Sequence, residues 1–411
     1  IEALHMLGQA GGVASQPQFD TGHKVPQAVH PPYAELVPPW ADVLILALAL
    51  AVAAWLVYRV RSRRRILAFA LVCLGWFGFV RQGCICPVGA VQNVAVAAWS
   101  GGGLPWAAGA LFALPLLLAL LFGRVFCAAV CPLGAVQELF IVRPVRVPRA
   151  LDAVLRIVPL AVLSVGLVYA VNGAGYLICR ADPFVGLFRR SAPIPMLLVG
   201  MAVLLVGMVV ARPYCRYFCP YGVLLEFCSR LAWRRVEIAD GMCVNCRLCV
   251  GVCPVGAVSA PREAPGEAAR ARQYGRFLVA LALAPALVAG GAAAGWMGGA
   301  FVARAHPAVI TARWLASATP AEQDLHPEIE AFKRTGMSRA WADEQAAAAV
   351  ARFRGGCAGA GAFTGLVIAL RLLGLTRLPR QGLHEADRIR CLACGRCYPA
   401  CPKNVKRAGR G

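Results

Sequence analysis

Eight cysteines stand in two runs whose spacing suits metal. The first is Cys243-x2-Cys246-x2-Cys249-x3-Cys253-Pro254, and the second is Cys391-x2-Cys394-x2-Cys397-x3-Cys401-Pro402. This is the bacterial ferredoxin run for [4Fe–4S] clusters. Three closely spaced thiolates wrap one face of a cube, and the x3-Pro turn carries the fourth away to the other cube. By that rule Cys243, Cys246, Cys249 and Cys401 hold one cluster. Cys391, Cys394, Cys397 and Cys253 hold the other. Zinc ribbons also use C-x2-C pairs, but a full four-cysteine run ending in proline, written twice, favours iron–sulfur. Arg388, Arg390 and Arg396 surround the second run. Their charge offsets an anionic thiolate cluster and raises its potential.

Three further segments repeat a shorter pattern. They are Cys84-Ile-Cys86-Pro87-Val-Gly89, Cys127-x3-Cys131-Pro132-Leu-Gly134 and Cys215-x3-Cys219-Pro220-Tyr-Gly222, at 84–93, 127–138 and 215–226. Each is a Cys pair, then Pro, then Gly two residues on, then a helical run. Pro opens a helix at its first turn, and a helix N-terminus stabilises a thiolate or a bound anion. Cys127, Cys131, Cys215 and Cys219 could ligate a further iron–sulfur cluster or form redox-active dithiols. The bland alternative is four buried thiols that shape tight turns. Cys73, Cys228 and Cys357 read as packing residues. No C-x-x-C-H occurs, which argues against covalent c-type haem.

The elements that must position these residues are apolar. Of 411 residues, 59% are hydrophobic and only 15% are charged, and the mean hydropathy is +0.63. An average soluble domain carries about 25% charged residues, so an ordinary soluble protein and a disordered chain are both excluded. The formal charge of +22 fits basic cytoplasmic loops better than nucleic acid, given the apolar bulk. Eighteen cysteines in clusters on a long chain do not read as a disulfide framework.

Apolar runs fall at 41–58, 66–80, 104–122, 154–172, 194–211, 277–296 and 357–375. The run 87–99 is too short to span and reads as interfacial or re-entrant. Arg59, Arg61, Arg63, Arg64 and Arg65 directly follow the first run and mark the cytoplasmic side. Seven crossings with the N-terminus outside put 28 basic residues inside and 12 outside. The expected fold is an all-α polytopic membrane protein of about seven helices, with a small cytoplasmic α+β ferredoxin-like domain split in sequence. Residues 1–40 form an outside lead-in, and 41–211 a five-helix membrane domain. Ferredoxin half one is 212–276, followed by helix 277–296, an outside helical segment 297–356, helix 357–375 and ferredoxin half two, 376–411. Two crossings between the halves return the chain to the same side, as shared clusters require. Cys84, Cys86 and Cys179 fall outside together, where they could hold a metal or form a disulfide. Cys84 and Cys86 are too close to pair with each other. Arg156 and Arg371 lie near helix ends and read as snorkelling.

The two Cys-x3-Cys-Pro segments, followed by ferredoxin runs on a polytopic chain, resemble the membrane polyferredoxins. That family includes the quinol-dehydrogenase membrane component of periplasmic nitrate reduction and the membrane iron–sulfur protein that supports nitrous-oxide reductase. The resemblance covers roughly residues 60–290 and the tail from 385. It implies cytoplasmic [4Fe–4S] clusters in a bacterial inner membrane, and electron traffic with the quinone pool or a periplasmic redox partner within a complex. Cys127, Cys131, Cys215 and Cys219 correspond to the family's membrane-side thiols. The C-I-C-P spacing and the long segment 297–356 depart from its pattern. The expected function is single-electron relay between a quinol or cytoplasmic donor and a periplasmic partner. The alternative is a copper reductase or metalloenzyme maturation factor using the same clusters. No residue offers substrate chemistry of its own.

Overall fold

The computed structural model describes residues 37–402, apart from 84–86, 102, 146, 191, 235, 237–242, 245, 260–266, 318–331, 333–335, 377–384 and 388. The chain is mostly helical, and each of the seven apolar runs is mostly in helix. Four helices are long and apolar enough to cross a membrane: Pro39–Val60, Leu151–Val171, Ala271–Ala305 and Arg339–Gly374. A fifth is added if Pro183–Arg189 and Ile194–Val209, which meet at 115°, are one broken span. Two of the seven expected crossings fall short for identifiable reasons. Trp106–Phe122 has 17 residues, and the helix through 66–80 begins in Arg63, Arg64 and Arg65.

Among the described residues, the two segments expected to form a ferredoxin-like domain meet over a short stretch. Among the described residues, sheet is limited to Val258–Ser259 pairing antiparallel with Glu385–Ala386. Beside it the short helices Leu248–Val252 and Cys397–Ala400 pack together. The second half docks on the helix bundle. The Tyr398 hydroxyl donates to the Val57 carbonyl (2.9 Å), and an Arg63 guanidinium N–H donates to the Cys394 carbonyl (3.0 Å). This defines a ferredoxin end of the bundle. At the far end Arg81 pairs with Asp42, joining the first two helices.

Half-length helices enter the bundle from its ends. The chain leaves Trp106–Phe122 at Gly123, whose φ of 68° admits the sharp turn. It then forms Val125–Ala129 and Pro132–Leu139. After Ile194–Val209 it likewise forms Pro213–Tyr217 and Pro220–Arg230. Both half-length helices open on the proline of a Cys-Pro step. The Tyr221 hydroxyl donates to the Phe112 carbonyl, midway along Trp106–Phe122, while the Trp233 N–H reaches Leu120 near that helix's end. The eight helical residues between those levels rise about 12 Å. Cys219, two residues before Tyr221, therefore lies halfway into the bundle. Irregular backbone is tolerated at such depth where protein surrounds it.

The two long helices between the ferredoxin halves, Glu267–Val302 and Arg339–Leu375, pack against each other along their length. Gly291, Gly295 and Gly299 recur every fourth residue and face Gly361, Cys357 and Arg354 backbone so closely that no side chain fits. This is small-residue packing of the kind that joins membrane helices. Replacing Gly295 with Leu should cost about 1–3 kcal/mol and lower the thermal midpoint. Replacing Gly355, where a side chain meets open space, should leave the midpoint unchanged.

Candidate iron–sulfur centres

The second and third repeats converge. Cys127, Cys131, Cys215 and Cys219 line one cavity in the middle of the bundle, with Arg124, Phe126 and Tyr221 also on its wall. Two half-length helices aim their N-termini at it, because each begins at the proline after a ligand-type cysteine. The glycine two residues beyond each proline has a steric reason. A Cβ on Gly134 would sit 2.5 Å from the Cys127 carbonyl oxygen, and one on Gly222 would sit 3.3 Å from that of Cys215. The fully buried Gln137 ties the repeats together. Its amide NH2 donates to Cys215 Sγ (3.1 Å), and its carbonyl accepts from the Tyr214 backbone N–H (3.0 Å).

A reciprocal clasp surrounds this cavity. Arg124 of the second repeat pairs with Glu226 of the third at 3.4 Å, and Arg212 of the third pairs with Glu138 of the second at 2.8 Å. Arg212 also donates to the Cys127 carbonyl. Sequence reasoning missed all four residues, although their register was on view. Each arginine stands three residues before the first Cys of its repeat, and each glutamate seven after the second. The carboxylates are hubs. Glu138 holds Arg63 and Arg396 as well as Arg212, and Glu226 holds Arg124, Arg156 and Arg371. Asp152 gathers Arg156, Arg216 and Arg390. Arg156 and Arg371 thus turn toward carboxylates within the protein, Asp152 and Glu226, instead of snorkelling. Burial would raise the Glu138 carboxyl, but Arg212, Arg63 and Arg396 outweigh it and hold it down at about 2.

The residues present fit an anionic polynuclear group. Among the described residues, Arg124 Nε and Arg212 Nη2 are buried donors with no partner, and unpaired buried donors are costly. Both belong to cations beside a four-thiol wall. Among the described residues, no three His, Cys, Asp or Glu side chains converge as the ligands of a single ion do. A cube does not require that, since each thiolate binds a different iron corner.

The ferredoxin cysteines fall into two groups. Cys253 and Cys391 pack in one small core with Val255, Ala257 and Leu392. Burial, then the neighbouring thiols Cys394, Cys391 and Cys253, push the Cys397 thiol up to about 12. Burial likewise pushes Cys391 up to about 12, with Cys394 and Cys253 adding to it. The thiol of the first run's last cysteine thus acts on Cys391 and Cys397 of the second run. Cys243 and Cys246 in turn act on Cys249. Cys401 ends the helix Cys397–Ala400 as its C-cap.

At the far end, Cys84, Cys86 and their expected site lie outside the described residues, as does Arg388. Cys179 stands against the helix that the first repeat opens, Pro87–Ser100, with its Sγ 3.0 Å from where a Cβ on Gly89 would be. On the same helix Gln92 is fully buried, with neither amide atom partnered among the described residues. Three residues on from Cys179, Asp182 caps Pro183–Arg189 through the Phe184 and Val185 N–H groups and accepts from the Tyr214 hydroxyl (2.6 Å). Cys73 and Cys228 lie in the main hydrophobic core, and Cys357 is buried at the long-helix contact.

Comparison with known proteins bears on the same residues. A 4Fe-4S binding domain family, Fer4_5, matches residues 104–149 and 192–238, which contain the second and third repeats. A second 4Fe-4S binding domain family, Fer4, matches 236–259, the first ferredoxin run. Protein NirI of Paracoccus denitrificans is 32% identical over 244 residues, covering 53% of this chain but only 35% of NirI. Uncharacterized protein MJ0750 of Methanocaldococcus jannaschii is 28% identical over 192 residues, covering 44% of this chain and 77% of that protein. No solved structure matches the chain. With 4Fe–4S binding domains seated among apolar helices, and with NirI as a relative, the chain is similar to the membrane 4Fe–4S polyferredoxins.

Proposed function

We propose that this protein is the membrane-bound electron-transfer subunit of an oxidoreductase complex, relaying single electrons between a quinol or cytoplasmic donor and a periplasmic redox partner. In this reading the chain crosses a bacterial inner membrane seven times, with its N-terminus outside and the ferredoxin halves in the cytoplasm. Cys243, Cys246, Cys249 and Cys401 hold one [4Fe–4S] cluster, and Cys391, Cys394, Cys397 and Cys253 hold a second. Cys127, Cys131, Cys215 and Cys219 hold a third iron–sulfur group, and Cys84, Cys86 and Cys179 form an outer redox or metal site. Such clusters supply one-electron chemistry. The chain's own residues supply burial, thiolates and a cationic lining.

The observation that carries this reading is the shared cavity of the two Cys-x3-Cys-Pro repeats. A hydrocarbon core of about 30 Å is too wide for ferredoxin clusters at one end to serve a partner at the other. The four-thiol cavity lies between them, halfway into the bundle, and Pro87 and Val88 of the first repeat reach its wall from the far end. The test is iron and acid-labile sulfide per chain on protein purified without oxygen, with EPR during stepwise reduction. About twelve iron atoms are expected, four per cube. About eight would leave the repeats as thiols, and zinc in place of iron would overturn the reading.

A further inference from the structure

We propose that Arg124 and Arg212 form a shared cationic layer that ties the charge state of the Cys127–Cys131–Cys215–Cys219 site to that of the Cys391–Cys394–Cys397–Cys253 site. The inference rests on the reading of the four-thiol cavity as a cluster site and says how that site is tuned.

Arg124 touches both neighbourhoods directly, and Arg212 touches one directly and the other through Glu138. Arg124 lines the four-thiol cavity, and its Nη1 donates to the Ile389 carbonyl (3.2 Å), two residues before Cys391. Arg212 donates to the Cys127 carbonyl on one side. On the other it pairs with Glu138, which also holds Arg396, between Cys394 and Cys397, and Arg63, whose second N–H meets the Cys394 carbonyl. Both arginine side chains are almost wholly buried, at 2% and 1% exposure, so little water screens them. Among the described residues each has one carboxylate partner and keeps one guanidinium nitrogen unpaired. The pairing is crossed, with the arginine of either repeat held by the glutamate of the other, so both cations are fixed across the seam of the two repeats.

A fixed positive charge stabilises the reduced, more negative state of any cluster near it, and in a dry interior the effect is strong. Two cations lying between two clusters act on both. An electron on one cluster offsets part of the positive field that the other feels. The two sites therefore titrate as a linked pair rather than independently.

Arg124→Gln and Arg212→Gln, each made in the full chain and purified without oxygen, test this by potentiometric EPR titration. Full iron content with the midpoints of both sites moved to more negative potential is the expected result. Lys at either position keeps the charge and should hold both midpoints near the wild-type values. Full iron with unmoved midpoints, or a shift confined to one site, overturns the inference. Should the glutamine variants fail to load iron, Cys391→Ser carries the test. Removing the second ferredoxin cluster leaves both guanidiniums to the four-thiol site, whose midpoint should then move positive. An unmoved midpoint there also overturns the proposal. Failure of the underlying reading shows separately, as about eight iron atoms in the unaltered protein.

Discussion

Glu138→Ala should destabilise the protein by about 3–5 kcal/mol, the usual cost of leaving buried charge without its partner. The carboxylate is 3% exposed and is the common acceptor for Arg63, Arg212 and Arg396. Removing it leaves three guanidiniums facing one another in a space shaped for attraction. Arg396 belongs to the second ferredoxin run, so the loss should also loosen that half from the bundle. A thermal midpoint well below that of the unaltered protein, with lost iron, is the expected outcome. A near-normal midpoint would show that the hub is dispensable. The pH dependence has a defined sign. The carboxyl is held down at about 2, from an ordinary value of 4.5. Its stabilisation is complete above 4.5 and is lost as the pH falls through about 2. In apoprotein, the difference between Glu138→Ala and wild type should therefore shrink across that window.

Cys253→Ser should remove the cluster of the opposite run. Cys253 shares a small core with Cys391 and lies among the thiols that act on Cys397. If it completes the site of Cys391, Cys394 and Cys397, the variant loses about four iron atoms. The EPR signal that remains should then be the one abolished by Cys243→Ser. Local ligation predicts the reverse, with Cys253→Ser and Cys243→Ser erasing the same signal. Cys401→Ser is the mirror experiment and should spare the cluster of Cys391.

Much of this arrangement was legible because thiolate chemistry is written in spacing. The ferredoxin runs and the Cys-Pro repeats show in the sequence as fixed intervals, and helix count alone placed both halves on one side. The apolar runs marked every long helix. The depth of the repeats was not legible. Hydropathy reports whether a segment is apolar, not that Pro220–Arg230 starts beside Phe112 and runs only half the bundle. Nor was the crossed Arg–Glu pairing visible. Arg124 and Glu226 are far apart in sequence, and nothing in a single chain announces which carboxylate a buried arginine will meet. Arg156 and Arg371 were misread for the same reason: a charge near a helix end suggests water until the tertiary partner is known.

The pairing of Val258–Ser259 with Glu385–Ala386 has a consequence for how the protein is made. The whole helical hairpin of Glu267–Val302 and Arg339–Leu375 lies between those strands. A ribosome has released the first half long before it reaches the second. Until the hairpin is inserted and the later strand emerges, the earlier one has no partner and Cys253 has no companion thiols from the second run. A site that draws thiols from both runs could load metal only at the end of synthesis. A chain interrupted anywhere in the hairpin carries the first cysteine run alone, exposed to whatever quality control inspects unfinished proteins.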